Sequence, residues 1–282
     1  MHKSKSKSPP YLKRFLFIHA IVLTSLFFSP SRFAIYSFFL MTFFRVIGVS
    51  ISYHRYFSHR SFETTRIFQF ILAIWGSLTA QRDPLWWAST HRYHHKYSDQ
   101  IKDPHSPIQK SFWYSHIGWV CEKESMVTRM KYVNDFKKYP ELFFLNGHPY
   151  LIFFISLLLT GLLGFFLKVN IPRLETGPIE LIFWSGLNSF IACAHITFGL
   201  NSLNHRYGKK EFPTKDYSTN IWWLFPFLLG ENWHNNHHFF PNSASTWVKW
   251  YQIDFIYIII KSFEKLHLVW DVKTFSNHSN RN

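Results

Sequence analysis

Hydrophobic positions in this chain fall in long blocks instead of the short periodic stripes of a soluble helix or strand. At 1.5 Å per residue, about 20 helical residues cover the ~30 Å hydrocarbon core of a bilayer. The pattern predicts four transmembrane helices, over residues 13–29, 33–52, 149–167 and 179–203. The first two meet in a tight turn at Pro30, the last two in a turn carrying Pro172, Gly177 and Pro178. Two shorter apolar runs, Ile67–Ala80 and Phe255–Ile260, are too short for a comfortable crossing and are expected to be re-entrant or to lie at the interface. Arg45, inside the second block, requires either a side chain that snorkels to the surface or a helix that continues past the membrane.

The polar stretches complete the organisation. Residues 1–12 form a basic N-terminus with a Lys/Ser tract at Lys3–Ser8, expected to be disordered. Residues 13–52 hold the first helix pair, 53–148 a first polar segment, 149–203 the second pair and 204–282 a second polar segment. A basic head before an apolar run also describes a signal peptide, but Ser29-Pro30-Ser31-Arg32 is not a small-x-small cleavage site and apolar sequence resumes at once. The Lys/Arg bias keeps the head cytoplasmic, so both polar segments fall on the cytoplasmic side of a multi-pass protein.

Composition narrows the function. Aromatics make up 21% of the 282 residues, as expected of a bilayer protein, while a mean hydropathy of −0.08 demands substantial water-facing segments. The net charge of +15 is spread next to apolar spans and suits an anionic membrane surface; no nucleic-acid motif accompanies it. Cys121 and Cys193 stand far apart without metal or redox spacing and are expected as free thiols. Trp86, Trp113, Trp119, Trp222, Trp223 and Trp233 are expected at the membrane interface.

The chemistry lies in the histidines. His91, His94 and His95 stand at i, i+3 and i+4, which on an α-helix places them on one face. His234, His237 and His238 repeat the spacing, and His54, His59 and His205 complete a set of nine. Nine imidazoles exceed what one ion accepts, so the pattern predicts a two-metal centre. His54 and His59 lie about 140° apart on an α-helix, so both can serve only if the helix ends or bends between them. Asn201 is expected to hold a metal-bound water or to make an interhelical hydrogen bond. Hydrolytic two-metal sites use bridging carboxylates; here Asp83, Asp99, Asp103 and Glu231 are few and read as outer partners or surface charges, which favours redox chemistry at iron. The other eight histidines, His2, His19, His105, His116, His148, His195, His267 and His278, are scattered singly and read as packed or surface residues.

These clusters resemble the three histidine boxes of membrane-bound fatty-acid desaturases of the Δ9, stearoyl-CoA desaturase-like branch: His54-Arg-Tyr-Phe-Ser-His59, His91-Arg-Tyr-His94-His95 and His234-Asn-Asn-His237-His238. The likeness extends to Asp103-Pro104-His105, Ser115-His116-Ile117-Gly118-Trp119 and Asn201-Ser202-Leu203-Asn204-His205. The resemblance implies an all-α integral membrane protein, four transmembrane helices capped by a helical cytosolic domain holding a di-metal site, with two iron ions that zinc can replace in a purified sample. It implies the nine histidines as ligands, Asn201 as a ligand through water, and oxygen-dependent desaturation of a fatty-acyl chain, Δ9 on acyl-CoA, with lipid-bound or carrier-protein-bound chains behind it. It also implies Gln81 and Trp87 at the bend of an acyl tunnel, with Cys193 in place of a family Thr. Beside the second box Arg82, Ser89 and Thr90 replace residues that contact CoA in the animal enzymes, and electrons are expected from a separate ferredoxin or cytochrome b5 type partner. The same ligands serve hydroxylases, ketolases and alkane monooxygenases, where tunnel geometry decides the outcome. A metal-binding or metal-transport protein would place its ligands near the bilayer midplane of broken helices, and a haem protein would leave the triplets unexplained.

Overall fold

The apolar blocks become long helices, in a computed structural model that describes residues 9–27 and 29–275. The Lys3–Ser8 tract, His2, His278 and Phe28 lie outside the described residues. Among the described residues three helices are long and apolar enough to cross a membrane: Arg32–Ser58, Leu151–Asn170 and Pro178–Leu203. The first apolar block, expected as a span over 13–29, is not one of them. Its helix α1 covers Leu12–Thr24, 13 residues or about 20 Å, and tightens into a 3₁₀ turn at Ser25, whose hydroxyl donates to the Val22 carbonyl.

Helix α2 (Arg32–Gly48) is capped by Ser31, whose hydroxyl accepts from the Ala34 amide at 3.1 Å. It runs on without interruption as a π-helix over Val49–Ser58, past the end expected at 52. Arg45 does not snorkel: it is 2% exposed, its guanidinium 5.3 Å from the centre of the Phe153 ring. After a two-residue strand β1 (Glu63–Thr64) comes the short apolar helix α3 (Arg66–Ser77). Helix α4 (Pro84–Tyr97) starts on a strong signal, with Asp83 Oδ1 accepting from the amides of Leu85 and Trp86 and Pro84 in the first helical position.

Short turns then lead to α5 (Pro140–Gly147) and α6 (Leu151–Asn170). The returning helix comprises α7 (Pro178–Leu181), a π segment over Ile182–Asn188 and α8 (Ser189–Leu203). The last polar segment carries α9 (Phe225–Leu228), α10 (His234–Phe239) and α11 (Phe255–Lys265). Strand β2 (Val269–Trp270) pairs antiparallel with β1, and isolated antiparallel bridges join Lys209 to Asn220 and Asn220 to Trp233 in an otherwise helical fold. Of the tryptophans expected at the interface, Trp86, Trp119 and Trp233 are buried in the protein, whereas Trp113, Trp222 and Trp223 are exposed.

Under the histidines lies the main core, where Tyr53, Tyr56, Phe57 and Phe62 meet Leu85, Phe136 and Ile256. Arg55 is buried in it with all its partners present. Its Nε donates to Glu231 at 3.0 Å, Nη1 to Asp254 at 2.9 Å and Nη2 to Asp254 at 3.0 Å. One guanidinium thus fastens the first histidine segment to the last. Gly230 makes this fit possible: it has φ +125°, and a Cβ there would stand 2.5 Å from Asp254 Oδ1.

Candidate metal centre

The π-helix resolves the problem posed by His54 and His59. In π geometry residues five apart are hydrogen-bonded and stack one turn above another. The His59 amide donates to the His54 carbonyl at 3.2 Å, and the two rings meet edge to face with their centres 5.0 Å apart, in one histidine group. α4 and α10 present the triplets as the α-helical spacing predicts, with Nε2–Nε2 separations of 3.0 Å for both His91–His95 and His234–His238.

The nine imidazoles gather into two groups. His54, His59, His91 and His237 form one, and His94, His205, His234 and His238 the other, with the ligand nitrogens of each group within 4.8 Å of one another. His95 joins the first, its Nε2 lying 3.0 Å from that of His91 and 2.9 Å from that of His237. His91 and His59 approach to 2.8 Å, His54 and His237 to 3.0 Å. Two imidazole nitrogens each about 2.1 Å from one ion and at a right angle stand about 3.0 Å apart, so these separations are those of a coordination shell.

The carboxylates make the case for ions stronger. Glu231 faces His54 Nδ1 at 2.9 Å, Asp103 faces His94 Nδ1 at 3.0 Å, and Asp99 and Asp216 face the Nδ1 atoms of His205 and His238 at 2.7 Å. A neutral imidazole that donates from Nδ1 has a bare lone pair on Nε2. Those of His205 and His238 both point at His234 Nε2 from 3.0 Å, and one proton there can serve only one of them. His234 Nδ1 is buried without a partner. Lone pairs forced together in a buried site are what a cation relieves, so the residues fit a metal pair.

Burial and the surrounding imidazoles hold His59, His91, His95, His234 and His237 well below the ordinary histidine value. Burial pushes His238 down to about 4 even with Asp216 beside it. His94 goes the other way, because the Asp103 carboxylate outweighs its burial and raises it. Burial would raise Glu231, yet Arg55 and His54 hold it at about 2.

A cavity of about 630 Å³ leads to the first group, its inner end walled by Trp87, His91, Thr197 and Asn201. The Trp87 ring stacks 4.9 Å from that of His91, and its indole N–H donates to Gln81 Oε1 at 3.3 Å. Gln81 Nε2 donates to Thr197 Oγ1 at 3.0 Å. Cys193, expected here, is fully buried and is not part of the cavity wall; Thr197, one helical turn later, occupies the place beside Gln81. Asn201 lies on the wall as well.

Two partners escaped the sequence reading. Asp216 stands alone in a polar loop and only the fold brings it to His238. His105, read as an isolated histidine, has its ring centre 4.4 Å from that of His94; its place two residues after Asp103 was the available signal. Of the four acids singled out, Asp99, Asp103 and Glu231 face clustered histidines, while Asp83 caps α4.

Comparison with known proteins agrees with this arrangement. The profile of the fatty acid desaturase family matches residues 30–273. Delta-9 acyl-lipid desaturase 2 of Arabidopsis thaliana is 38% identical over 231 residues, 80% of this chain and 70% of the relative. Acyl-CoA C20 Delta5-desaturase of Anemone leveillei is 36% identical over 265 residues, 92% of this chain and 80% of the relative. Hex-5-enoyl-[acyl-carrier protein] acetylenase of Moorena producens (strain JHB) is 35% identical over 239 residues, 81% and 73%. With two facing histidine groups at the end of an apolar cavity, and a profile match over most of its length, this chain belongs to the fatty acid desaturase family.

Proposed function

We propose that the two histidine groups hold a pair of iron ions and that the chain introduces a Δ9 double bond into a saturated fatty-acyl chain. The observation that carries this reading is the juxtaposition of two neutral imidazole shells with an apolar cavity that ends against one of them. Iron supplies the oxidising power, with O2 as oxidant. In the balanced reaction the chain loses two hydrogens, O2 takes them together with two electrons and two protons from outside, and two waters leave. The electrons come from a separate carrier of the ferredoxin or cytochrome b5 type, docking on the basic cytoplasmic face. Asn201 holds a water against one ion.

The residues of this chain then have defined tasks. The cavity walls exclude water from the acyl segment that reacts. Gln81, Thr197 and Trp87 form a hydrogen-bonded ridge over which the acyl chain bends, which fixes the carbons presented to His91 and its neighbours. Hydroxylation at the same ligands is the runner-up, and the acyl carrier is among those used by the relatives, which by name act on acyl-lipid, acyl-CoA and carrier-protein substrates. The fatty-acid profile of a host expressing the chain, with double-bond location by gas chromatography, tests the reading. A new Δ9 alkene is the expected result; an alcohol as sole product would overturn it.

A further inference from the structure

We infer that the acyl chain reaches this centre while still esterified to a membrane glycerophospholipid, entering sideways between α1 and α6 with its phosphate against Arg14 and Arg82. The inference rests on the desaturase reading above and names the carrier, for which the sequence favours CoA.

The walls of the cavity carry the argument. Much of its lining comes from α6 and from the Pro178–Leu203 helix, two of the segments long and apolar enough to cross a bilayer. Along these walls exposure is graded. Phe154 on α6 is 63% exposed and Ile18 on α1 is 39% exposed, whereas Phe153, Ala194 and Phe198 further in are nearly buried. An opening rimmed by exposed Phe154 on a helix long enough to span and by exposed Ile18 on the shorter apolar α1 faces lipid tails, where a tail can pass without crossing water.

Charge marks one end of that opening. Arg14 and Arg82 both line the cavity, with Tyr11 and Tyr150 between them. Among the described residues neither guanidinium forms an ion pair. Arg14 lies over the Tyr11 ring and Arg82 over Trp86, and Arg82 Nε is buried without a hydrogen-bond partner. Two guanidiniums without an ion pair, of which Arg82 makes only a weak hydrogen bond from Nη1 to Met126 Sδ at 3.6 Å, stand with phenols beside an apolar slot and match one phosphodiester at the level where a head group joins its tails. CoA would bring three phosphates and a nucleoside, which call for a broader water-facing basic surface than this rim offers.

The third observation is where α1 is tied. No side chain of α1 is buried. Its polar ties run to the Cys121 carbonyl, from the Tyr11 amide at 3.2 Å, and to the returning helix, through the His19 and His195 rings, Nε2 to Nε2, at 3.0 Å and through Asn188 Nδ2, which donates to the Ser25 hydroxyl at the end of α1 at 2.9 Å. α6 is packed instead against the returning helix, where a Cβ on Gly164 would stand 2.6 Å from the Pro178 Cα. Among the described residues no hydrogen bond joins α1 to α6, so their seam is the side that can part to admit a tail.

The test uses the full-length, iron-loaded chain in vesicles with a reduced ferredoxin or cytochrome b5 supply. One arm offers a phosphatidylcholine whose deuterated saturated chain is joined by an ether bond, so that it cannot be hydrolysed and passed to CoA; others offer the ester lipid and stearoyl-CoA. A double bond in the intact ether lipid is expected. Conversion of stearoyl-CoA with both phospholipids untouched would overturn the inference and leave the desaturase reading standing. No product from any carrier would remove that reading, and the inference with it. Independently of turnover, native mass spectrometry reads the phospholipid retained by the chain. The double variant Arg14→Glu, Arg82→Glu is expected to lower retention by about tenfold or more. Unchanged retention would overturn the phosphate assignment.

Discussion

The two histidine groups use the same donor atom in different electrostatic surroundings. In the group of His94, His205, His234 and His238, three of four rings have a carboxylate on Nδ1: Asp103, Asp99 and Asp216. In the group of His54, His59, His91, His95 and His237 only His54 does, and its Glu231 is shared with the Arg55 guanidinium. The first environment is rich in negative charge; the second is nearly neutral and borders the cavity through His91. A carboxylate on Nδ1 makes a ring a stronger donor and fixes its direction. On the proposed reading the acid-backed group would hold its ion the more firmly, and the cavity-side group would meet the substrate.

Cutting into each shell is the harshest way to probe that difference. His237→Ala and His94→Ala should each lower desaturation by more than about 100-fold, with the protein still in the membrane. Metal analysis should show iron lost together with activity; an active, fully loaded His94→Ala protein would contradict the assignment. Changing the carboxylates instead separates the groups. Glu231→Gln replaces one of the two carboxylates on buried Arg55 by a neutral amide while Asp254 stays, and should cost about 1.5–3 kcal/mol of stability, read as a lowered unfolding temperature. The Asp216 carboxylate pairs with no Lys or Arg and is partly open to solvent, so Asp216→Asn should spare the fold and weaken one ion by about 10–100-fold, read by chelator competition. Equal loss of stability in both variants would erase the distinction.

How far the sequence anticipated this site depends on the kind of signal. The triplets were legible because an α-helix converts i, i+3, i+4 into one face whatever surrounds it, and α4 and α10 keep that geometry. His54 and His59 were legible as chemistry but not as geometry: nothing in Val49–Ser58 announces a π-helix, which packing against the core imposes. Asp216 was invisible because loops carry no periodicity, and its 22-residue separation from His238 is closed by tertiary structure alone. The first apolar block has the composition of a span, yet its helix tightens at Ser25, a local backbone choice that hydropathy does not register. Thr197 and Cys193 lie one turn apart, so a pattern match could land on either; the Gln81 hydrogen bond decides between them.

Acid should act on both groups together, with an effect smaller than losing a ligand. Six of the clustered imidazoles, His59, His91, His95, His234, His237 and His238, are held below their ordinary value, and His94 alone is raised. In the unfolded chain these rings take protons near pH 6.5, so below that the unfolded state binds more protons than the folded one. Stability of the metal-free protein should accordingly be full above about pH 6.5 and fall progressively towards pH 4. Unfolding temperatures measured across that range provide the check, and a flat profile would mean the rings are not buried in neutral form.

The smallest effect belongs to the cavity side. Thr197→Val keeps the volume of the side chain and removes the oxygen that accepts from Gln81 Nε2. Gln81 is only partly buried, so the cost in stability should be about 1 kcal/mol and iron content should not change. The amide loses one of its two anchors, and the ridge it forms with Trp87 loosens. The acyl chain can then slide by a carbon or two before it reacts. The expected result is near-normal total desaturation with double bonds spread over neighbouring positions, read by gas chromatography with double-bond location. Cys193→Thr restores a hydroxyl at a position that is not on the wall and should leave the product pattern alone. If Cys193→Thr moves the double bond and Thr197→Val does not, the ridge has been assigned to the wrong turn of α8.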